Sequence, residues 1–181
     1  QTPSVTNWLS YNALKRPGVM RLLSYQAVAH GADSVLFFQM RRTVGACEKY
    51  HGAVIDHAGH GNTRVFREIK ALGGELKALG SQAMGSRTPA KAAILVSWEN
   101  WWALEYSAGP SCDLKYLDEV ERYYTAFYEQ NIPVDIISSE DPLDGYGLVV
   151  LPVLYLVKDG IPDKLKVYVE GGGTLIATYF S

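Results

Sequence analysis

Residues 37–57 read FFQMRRTVGACEKYHGAVIDH, a run that gathers Arg41, Arg42, Glu48, His51, Asp56 and His57 beside the rings of Phe37, Phe38 and Tyr50. Glu48 and His51 are side chains of this run that can hydrogen-bond a ligand. An ionised carboxylate accepts hydrogen bonds from two hydroxyls, and an imidazole donates or accepts. By residue type alone, the same pair reads more commonly as a solvated loop carboxylate and a structural histidine. His51, Asp56, His57 and His60 also contain the donor types of a zinc or iron site. No cysteine or second His-rich segment completes that set, so we expect no metal. The Glu48-x-x-His51 spacing occurs in di-iron bundles, but there it is paired with a second motif on a facing helix. Arg41 and Arg42 have the chemistry either to bind a substrate or to pair with acidic neighbours, and surface pairing is the preferred reading.

The second half of the chain offers weaker chemistry. Ser97-Trp98-Glu99-Asn100-Trp101-Trp102 follows an apolar strand-like segment, where a nucleotide-binding fold places glycines for close approach to phosphate. Three tryptophans are wrong for that role and read as a buried or subunit-contact cluster. A glutamine amidotransferase needs an activated cysteine on a tight strand-to-helix turn, and Leu151-Pro152-Val153-Leu154 has none. Cys112 precedes an expected helix, a position that can lower a thiol's pKa. No motif surrounds it, and it is read as structural.

These residues need elements to position them. Ala32 to Phe38 is β-branched, turns aromatic toward its end and follows Gly31, so it reads as a buried parallel strand with the 37–57 run as its outgoing loop. A long connection without its own periodicity, leaving the carboxyl end of a strand, is a common place for a binding loop. Helices are expected over 17–30, where Val19, Met20, Leu22, Leu23, Ala27 and Val28 follow Pro17, and over 62–79. In the second of these, Val65, Phe66, Ile69, Leu72, Leu76 and Leu79 step by three and four behind Asn62 or Thr63 as the cap, with Gly73 and Gly74 weakening it. The small, polar, proline-terminated stretch 81–89 marks a boundary, which gives parts 1–80 and 91–181 joined by a linker at 81–90.

Beyond the boundary, strands are expected at 92–97, 134–137, 148–151 and 174–178, alternating with helices at 113–130 and 161–170. Leu117, Val120, Tyr124 and Phe127 share one face of the longer helix, which Gln130 and Asn131 end before Pro133. That order predicts an open parallel sheet with right-handed crossovers.

Composition narrows the function classes. At 181 residues, 48% hydrophobic and 20% charged, the chain has a globular composition, and no apolar run is long enough for a membrane span. A net charge of −2 without a basic stripe gives no reason to expect nucleic acid. Two distant cysteines, Cys47 and Cys112, fit a reducing compartment, and a cytoplasmic location is expected. The chain starts at Gln1 without a signal-like segment and stops after a strand, so a fragment of a longer protein is expected.

The stretches QTPSVTNW and LKRPGVMRLLSYQAVAHGADSVLFFQMRRTVGACEKYHGAVIDH closely resemble glycoside hydrolase family 42, the β-galactosidases. The resemblance extends over the whole chain. It implies an α/β fold: the C-terminal βα units of a (β/α)8 barrel, then a flavodoxin-like, class I glutamine amidotransferase-like domain that serves trimerisation. It also implies a retaining β-galactosidase as the parent, with a galactoside substrate, a homotrimeric state and no cofactor. Glu48 and His51 match the pair that holds galactose hydroxyls, and Trp8 an aromatic lining the sugar site. Asn7 is implied to support the neighbouring nucleophile, and Phe38 to end the last barrel strand near the pocket. The family's nucleophilic glutamate immediately precedes the residue matching Gln1, and its acid/base glutamate lies farther upstream. A retaining glycosidase needs both, so this stretch alone is expected to be inactive. Met40 stands where many members have tryptophan. A second function class remains open for the isolated chain: a non-catalytic flavodoxin-like assembly module.

Overall fold

The computed structural model describes residues 2–5, 8–107, 109 and 111–181, and the chain divides into two units, Gln1–Thr88 and Pro89–Ser181. In the first unit, helix α1 spans Val19–Ala29 and α2 spans Arg64–Leu79. Gly18, at φ +83°, turns the chain into α1, so the helix begins two residues beyond Pro17. Met20 and Ser24 are its buried residues, four apart on one face, and the Ser24 hydroxyl donates to the Met20 carbonyl at 2.7 Å. Leu22, counted among the apolar residues of this helix in the sequence, is 66% exposed.

Helix α2 starts where the sequence predicts. Thr63 accepts from the Phe66 N–H at 3.3 Å, satisfying one of the donors left unpaired at a helix N-terminus. Its face from Val65 through Leu79 is turned inward, with Leu72 fully buried. Glu75 joins the two helices, accepting from Arg21 Nε at 2.7 Å and from the Tyr25 hydroxyl at 2.9 Å.

The expected strand over residues 32–38 is not found: these residues are irregular, none is buried, and Leu36 is 79% exposed. A parallel strand exists through its neighbours' ladder bonds, and the described residues of this unit contain no strand, only an isolated bridge between Arg41 and Ile55.

The second unit carries the sheet. Strands β1 (Ala92–Leu95), β2 (Val134–Ile137), β3 (Leu148–Leu151) and β4 (Thr174–Ala177) are all parallel, in the order β2-β1-β3-β4. The central strand β1 is buried along its whole length, whereas edge strand β4 is largely exposed. Helices α3 (Trp98–Tyr106), α4 (Tyr116–Glu129) and α5 (Ile161–Glu170) complete the unit. Ala93, Leu95, Val149 and Leu151 share a cluster with Ile137, Leu154 and Ile161, and Leu165 and Tyr168 of α5 pack against it. A second cluster joins Leu104, Tyr116 and Val153, with Trp101 and Val120 alongside. Ala93 and Leu95 of β1, like Val149 and Leu151 of β3, are two apart and so share one face of the sheet.

Helix α3 is an addition to the elements expected from the sequence, which reads the residues after β1 only as an aromatic cluster. Ser97 caps it, accepting from the Asn100 N–H at 3.2 Å. In α4 Tyr116 is wholly buried and Leu117 is 43% exposed, whereas Val120, Tyr124 and Phe127 of the expected face are half-buried. Cys112, read as structural, is exposed.

Candidate functional site

The 37–57 run is not a featureless loop: it returns on itself so that Arg41 and Ile55 form an isolated parallel bridge. Residues 39–42 and 54–55 pair through Val54 N–H to Gln39 O at 2.9 Å, Ile55 N–H to Met40 O at 2.8 Å and Arg42 N–H to Ile55 O at 2.9 Å. The excursion carries a single 3₁₀ turn, Cys47–Tyr50, with Glu48 inside it. His51 follows directly, its N–H donating to the Glu48 carbonyl at 2.9 Å, so the Glu48-x-x-His51 pair is tied together by the backbone.

The next residue fixes this turn against the start of the chain. Gly52 N–H donates to Val5 O at 2.7 Å, and a Cβ at Gly52 would lie 2.3 Å from Ser4 Oγ and 2.7 Å from Val5 N. Only glycine permits that approach. Lys15 holds the same N-terminal segment from the other side, its N–H donating to Ser4 O at 2.9 Å and its ammonium to Thr2 O at 2.5 Å.

Three predicted site residues meet as a result. The His51 ring is 1% exposed and lies between two aromatic rings, with Trp8 at 4.9 Å and tilted by 48°, and Phe38 at 5.3 Å and edge-on at 83°. Trp8 and Phe38 keep 72% and 47% of their surface exposed, so a buried imidazole backs two accessible apolar faces. Glu48 is half-buried on the adjoining turn. Met40 is 62% exposed. Asn7 lies outside the described residues.

Electrostatics around the turn centre on Arg42. Its guanidinium pairs with Asp56 at 2.8 Å and also donates to the carbonyls of Lys49 and Tyr50. This replaces the expectation of a simple surface pair: the arginine side chain is 16% exposed and serves three acceptors. The same guanidinium, helped by a hydrogen bond from His57 N–H at 2.6 Å, holds the Asp56 carboxyl below its ordinary value. His57 Nε2 lies 2.8 Å from Thr43 O, and His60 Nδ1 accepts from Asn62 N–H at 3.2 Å. Among the described residues, no group of three or more His, Cys, Asp or Glu side chains gathers into a metal-binding set.

In the second unit, Trp98 and Trp102 are 63% and 54% exposed, which rules out the buried reading for these two rings. Trp98 lies 5.3 Å from Trp101 and 6.4 Å from Trp102, forming an outward aromatic patch on α3. Nearby, Glu99 pairs with Lys158 at 2.6 Å, which lowers the carboxyl's pKa and raises the ammonium's. After β3, Val153 is fully buried at φ +47°, a conformation a β-branched residue rarely adopts. A nucleophile elbow uses such a strained turn, but a valine side chain has nothing with which to attack.

Two family models divide the chain between them. The one described as "Beta-galactosidase", of glycoside hydrolase family 42, matches residues 1–79, and "Beta-galactosidase trimerisation domain" matches residues 90–181. The chain belongs to the family 42 β-galactosidases. Among family 42 relatives, beta-galactosidase BgaA of Planococcus sp. (strain 'SOS Orange') is 56% identical over 181 residues, covering 100% of this chain and 27% of its own length. Beta-galactosidase BglY of Alicyclobacillus acidocaldarius is 51% identical, covering 99% of this chain and 26% of its own. The chain thus spans about a quarter of the length of the relatives it matches.

Solved family 42 structures agree. The β-galactosidase of Bacillus circulans sp. alkalophilus superposes with a TM-score of 0.95 at 58% identity, over 100% of this chain and 27% of that one. That of Rahnella sp. R3 gives 0.91 at 48% identity, over 99% and 26%. These superpositions bear out the α/β class expected from the sequence, barrel units followed by a parallel-sheet domain. Sequence reading missed the three-way role of Arg42 and the need for Gly52. The Gly-flanked setting of the turn was the available signal for the glycine, while the arginine's acceptors are mostly backbone atoms that no side-chain pattern reveals.

Proposed function

We propose that this chain is the sugar-gripping and assembly part of a retaining β-galactosidase that hydrolyses terminal non-reducing β-D-galactose residues from β-galactosides. The observation that carries this reading is the buried His51 imidazole set between the open faces of Trp8 and Phe38, with Glu48 on the adjoining turn. The Glu48 carboxylate accepts from galactose hydroxyls, His51 adds a directional partner, and the indole face of Trp8 covers the sugar's C–H face. Phe38 bounds the pocket, and Asn7 steadies the nucleophile. Retention requires two carboxyl groups about 5 Å apart, one attacking the anomeric carbon and one protonating the departing oxygen. In this reading both come from the three-quarters of the relatives' length that the aligned stretch does not span. No cofactor takes part.

The second unit is the assembly element, and the exposed Trp98 and Trp102 rings on α3 support their use as a contact in a homotrimer. The exposed cysteines Cys47 and Cys112 support a reducing cytoplasm as the site of action.

The test is turnover of a chromogenic β-galactoside by the full-length parent, its Glu48→Gln variant and the 181-residue chain alone. The parent turns over with retained anomeric configuration. Removing the charge from Glu48 lowers kcat/KM by roughly a hundredfold, the scale of a lost charged hydrogen bond. Robust turnover by the 181-residue chain alone would overturn this assignment of the catalytic groups.

A further inference from the structure

The 3₁₀ turn that carries Glu48 ends on carbonyls with no partner within the turn's own ladder, as the last carbonyls of any short helix do. Arg42 supplies the donors. Its Nε reaches Lys49 O at 3.1 Å and its Nη2 reaches Tyr50 O at 2.6 Å, the last two residues of the turn. The remaining arm, Nη1, meets Asp56 Oδ1 at 2.8 Å. The same Asp56 oxygen also takes the His57 N–H at 2.6 Å, which fixes the carboxylate that fixes the arginine. At the other end, Arg42's own N–H is bound to Ile55 O at 2.9 Å, so both the root and the tip of the side chain are constrained.

We propose that Arg42 is a positioning residue for galactoside binding: its three-armed guanidinium sets where the Cys47–Tyr50 turn holds the Glu48 carboxylate and His51 imidazole. The proposal rests on the galactose-binding reading of Glu48 and His51. Among the described residues, the hydrogen bonds of the Arg42 side chain go to Lys49 O, Tyr50 O and Asp56 and not to Trp8, Phe38, Glu48 or His51, so it acts through the turn rather than on the sugar. The geometry calls for a planar fork. Lysine keeps the charge but presents one ammonium, which cannot reach acceptors lying in three directions. Asp56 is the second member of the device: without its carboxylate the guanidinium keeps two carbonyls but loses its anchor.

The experiment is a double-mutant cycle in the full-length enzyme with Arg42→Lys and Glu48→Gln, reading kcat/KM on a chromogenic β-galactoside, competitive inhibition by galactose, and thermal unfolding. Arg42→Lys is expected to lower kcat/KM and weaken galactose by roughly ten- to hundredfold, the effect of misplacing a binding group by a fraction of an ångström. In the double variant the two losses fall well short of multiplying, because Glu48 is the group that Arg42 places. Asp56→Asn, a gentler change should Arg42→Lys fail to fold, is expected to show a smaller loss of roughly two- to fivefold with the same non-additivity toward Glu48→Gln. Losses that multiply in full, or an Arg42→Lys enzyme with unaltered kcat/KM beside a crippled Glu48→Gln, would overturn the positioning role and leave the galactose reading intact. A Glu48→Gln enzyme with unaltered kcat/KM and galactose inhibition would overturn both.

Discussion

In residues 89–181 side chains are placed by a ladder: β1 is hydrogen-bonded in register to β2 and β3, and its four residues are all buried. In residues 1–88 the candidate site is placed by individual bonds, from Arg42 to two carbonyls and a carboxylate, and from Gly52 to Val5. Among the described residues, both hydrophobic clusters of buried residues belong to the second unit, while the first buries Ser4, Ser24 and His51 alongside Val5, Met20, Ala53 and Leu72. The lesson is one of redundancy. A strand in a sheet is held by many equivalent contacts, and no single bond decides its position. A 3₁₀ turn of four residues is held by few, so each carries a visible share of the geometry. Such a turn is also more easily adjusted to a ligand, which suits a binding loop on a rigid scaffold.

The comparison is broken most forcefully from inside the sheet. Ile94 is fully buried on the central strand, and Ile94→Ala is expected to lower stability by about 3 kcal/mol through lost burial and the cavity left behind. Chemical denaturation checks this, and a loss under about 1 kcal/mol would mean that the ladder core relaxes far more readily than close packing allows. Next comes the tight approach in the first unit. Gly52→Ala forces a Cβ against Ser4 Oγ and the backbone at Val5, at a cost of about 2 kcal/mol. Because the strain falls beside His51, the proposed galactose binding should weaken as well, as titration calorimetry on the full-length protein would register.

Tyr116 sharpens the contrast in the opposite direction, being one bond inside a redundant region. Its hydroxyl oxygen accepts from the buried Ser97 N–H at 2.9 Å. Tyr116→Phe leaves that donor without its partner and should cost about 1–2 kcal/mol, measurable as a lower denaturation midpoint. Burial raises the Tyr116 pKa, so its neutral form is favoured when folded. The associated stability is present below the ordinary tyrosine value near 10 and is lost as pH rises through the raised one.

The smallest effect is at Asp56, where the sign is reversed. The Arg42 guanidinium depresses this carboxyl's pKa from 3.8 in the folded state. Its contribution is therefore present above about pH 4 and is lost as pH falls through the depressed value. The side chain is 42% exposed, so solvent screens the pair and the contribution is modest. Stability of the parent and of Asp56→Asn should differ by a constant amount from pH 8 to about pH 5 and converge in stronger acid. A difference that persists undiminished at about pH 2 would show that the Arg42 to Asp56 link is not the ion pair it is taken to be.

Local sequence was enough wherever an element depends on its own residues. The steps from Val65 to Leu79 and the Thr63 cap specify α2, because helix periodicity and an N-terminal acceptor are properties of adjacent residues. The strands at Val134–Ile137 and Leu148–Leu151 were legible for a similar reason, since short apolar, β-branched runs between turns suit strands. The Glu48-x-x-His51 pair and the aromatics Trp8 and Phe38 could also be picked out, on residue type and family resemblance. What the sequence did not reveal was whether 32–38 would find strand partners, that Ser97 would open a helix whose Trp98 and Trp102 face outward, or how deeply His51 would be buried. Those outcomes depend on groups far away in the chain, some of them backbone atoms that every residue carries alike. Arg42 shows this most plainly: as a residue type it is an ordinary surface cation, and only the folded placement of Lys49 O, Tyr50 O and Asp56 around it makes it the clasp of the site.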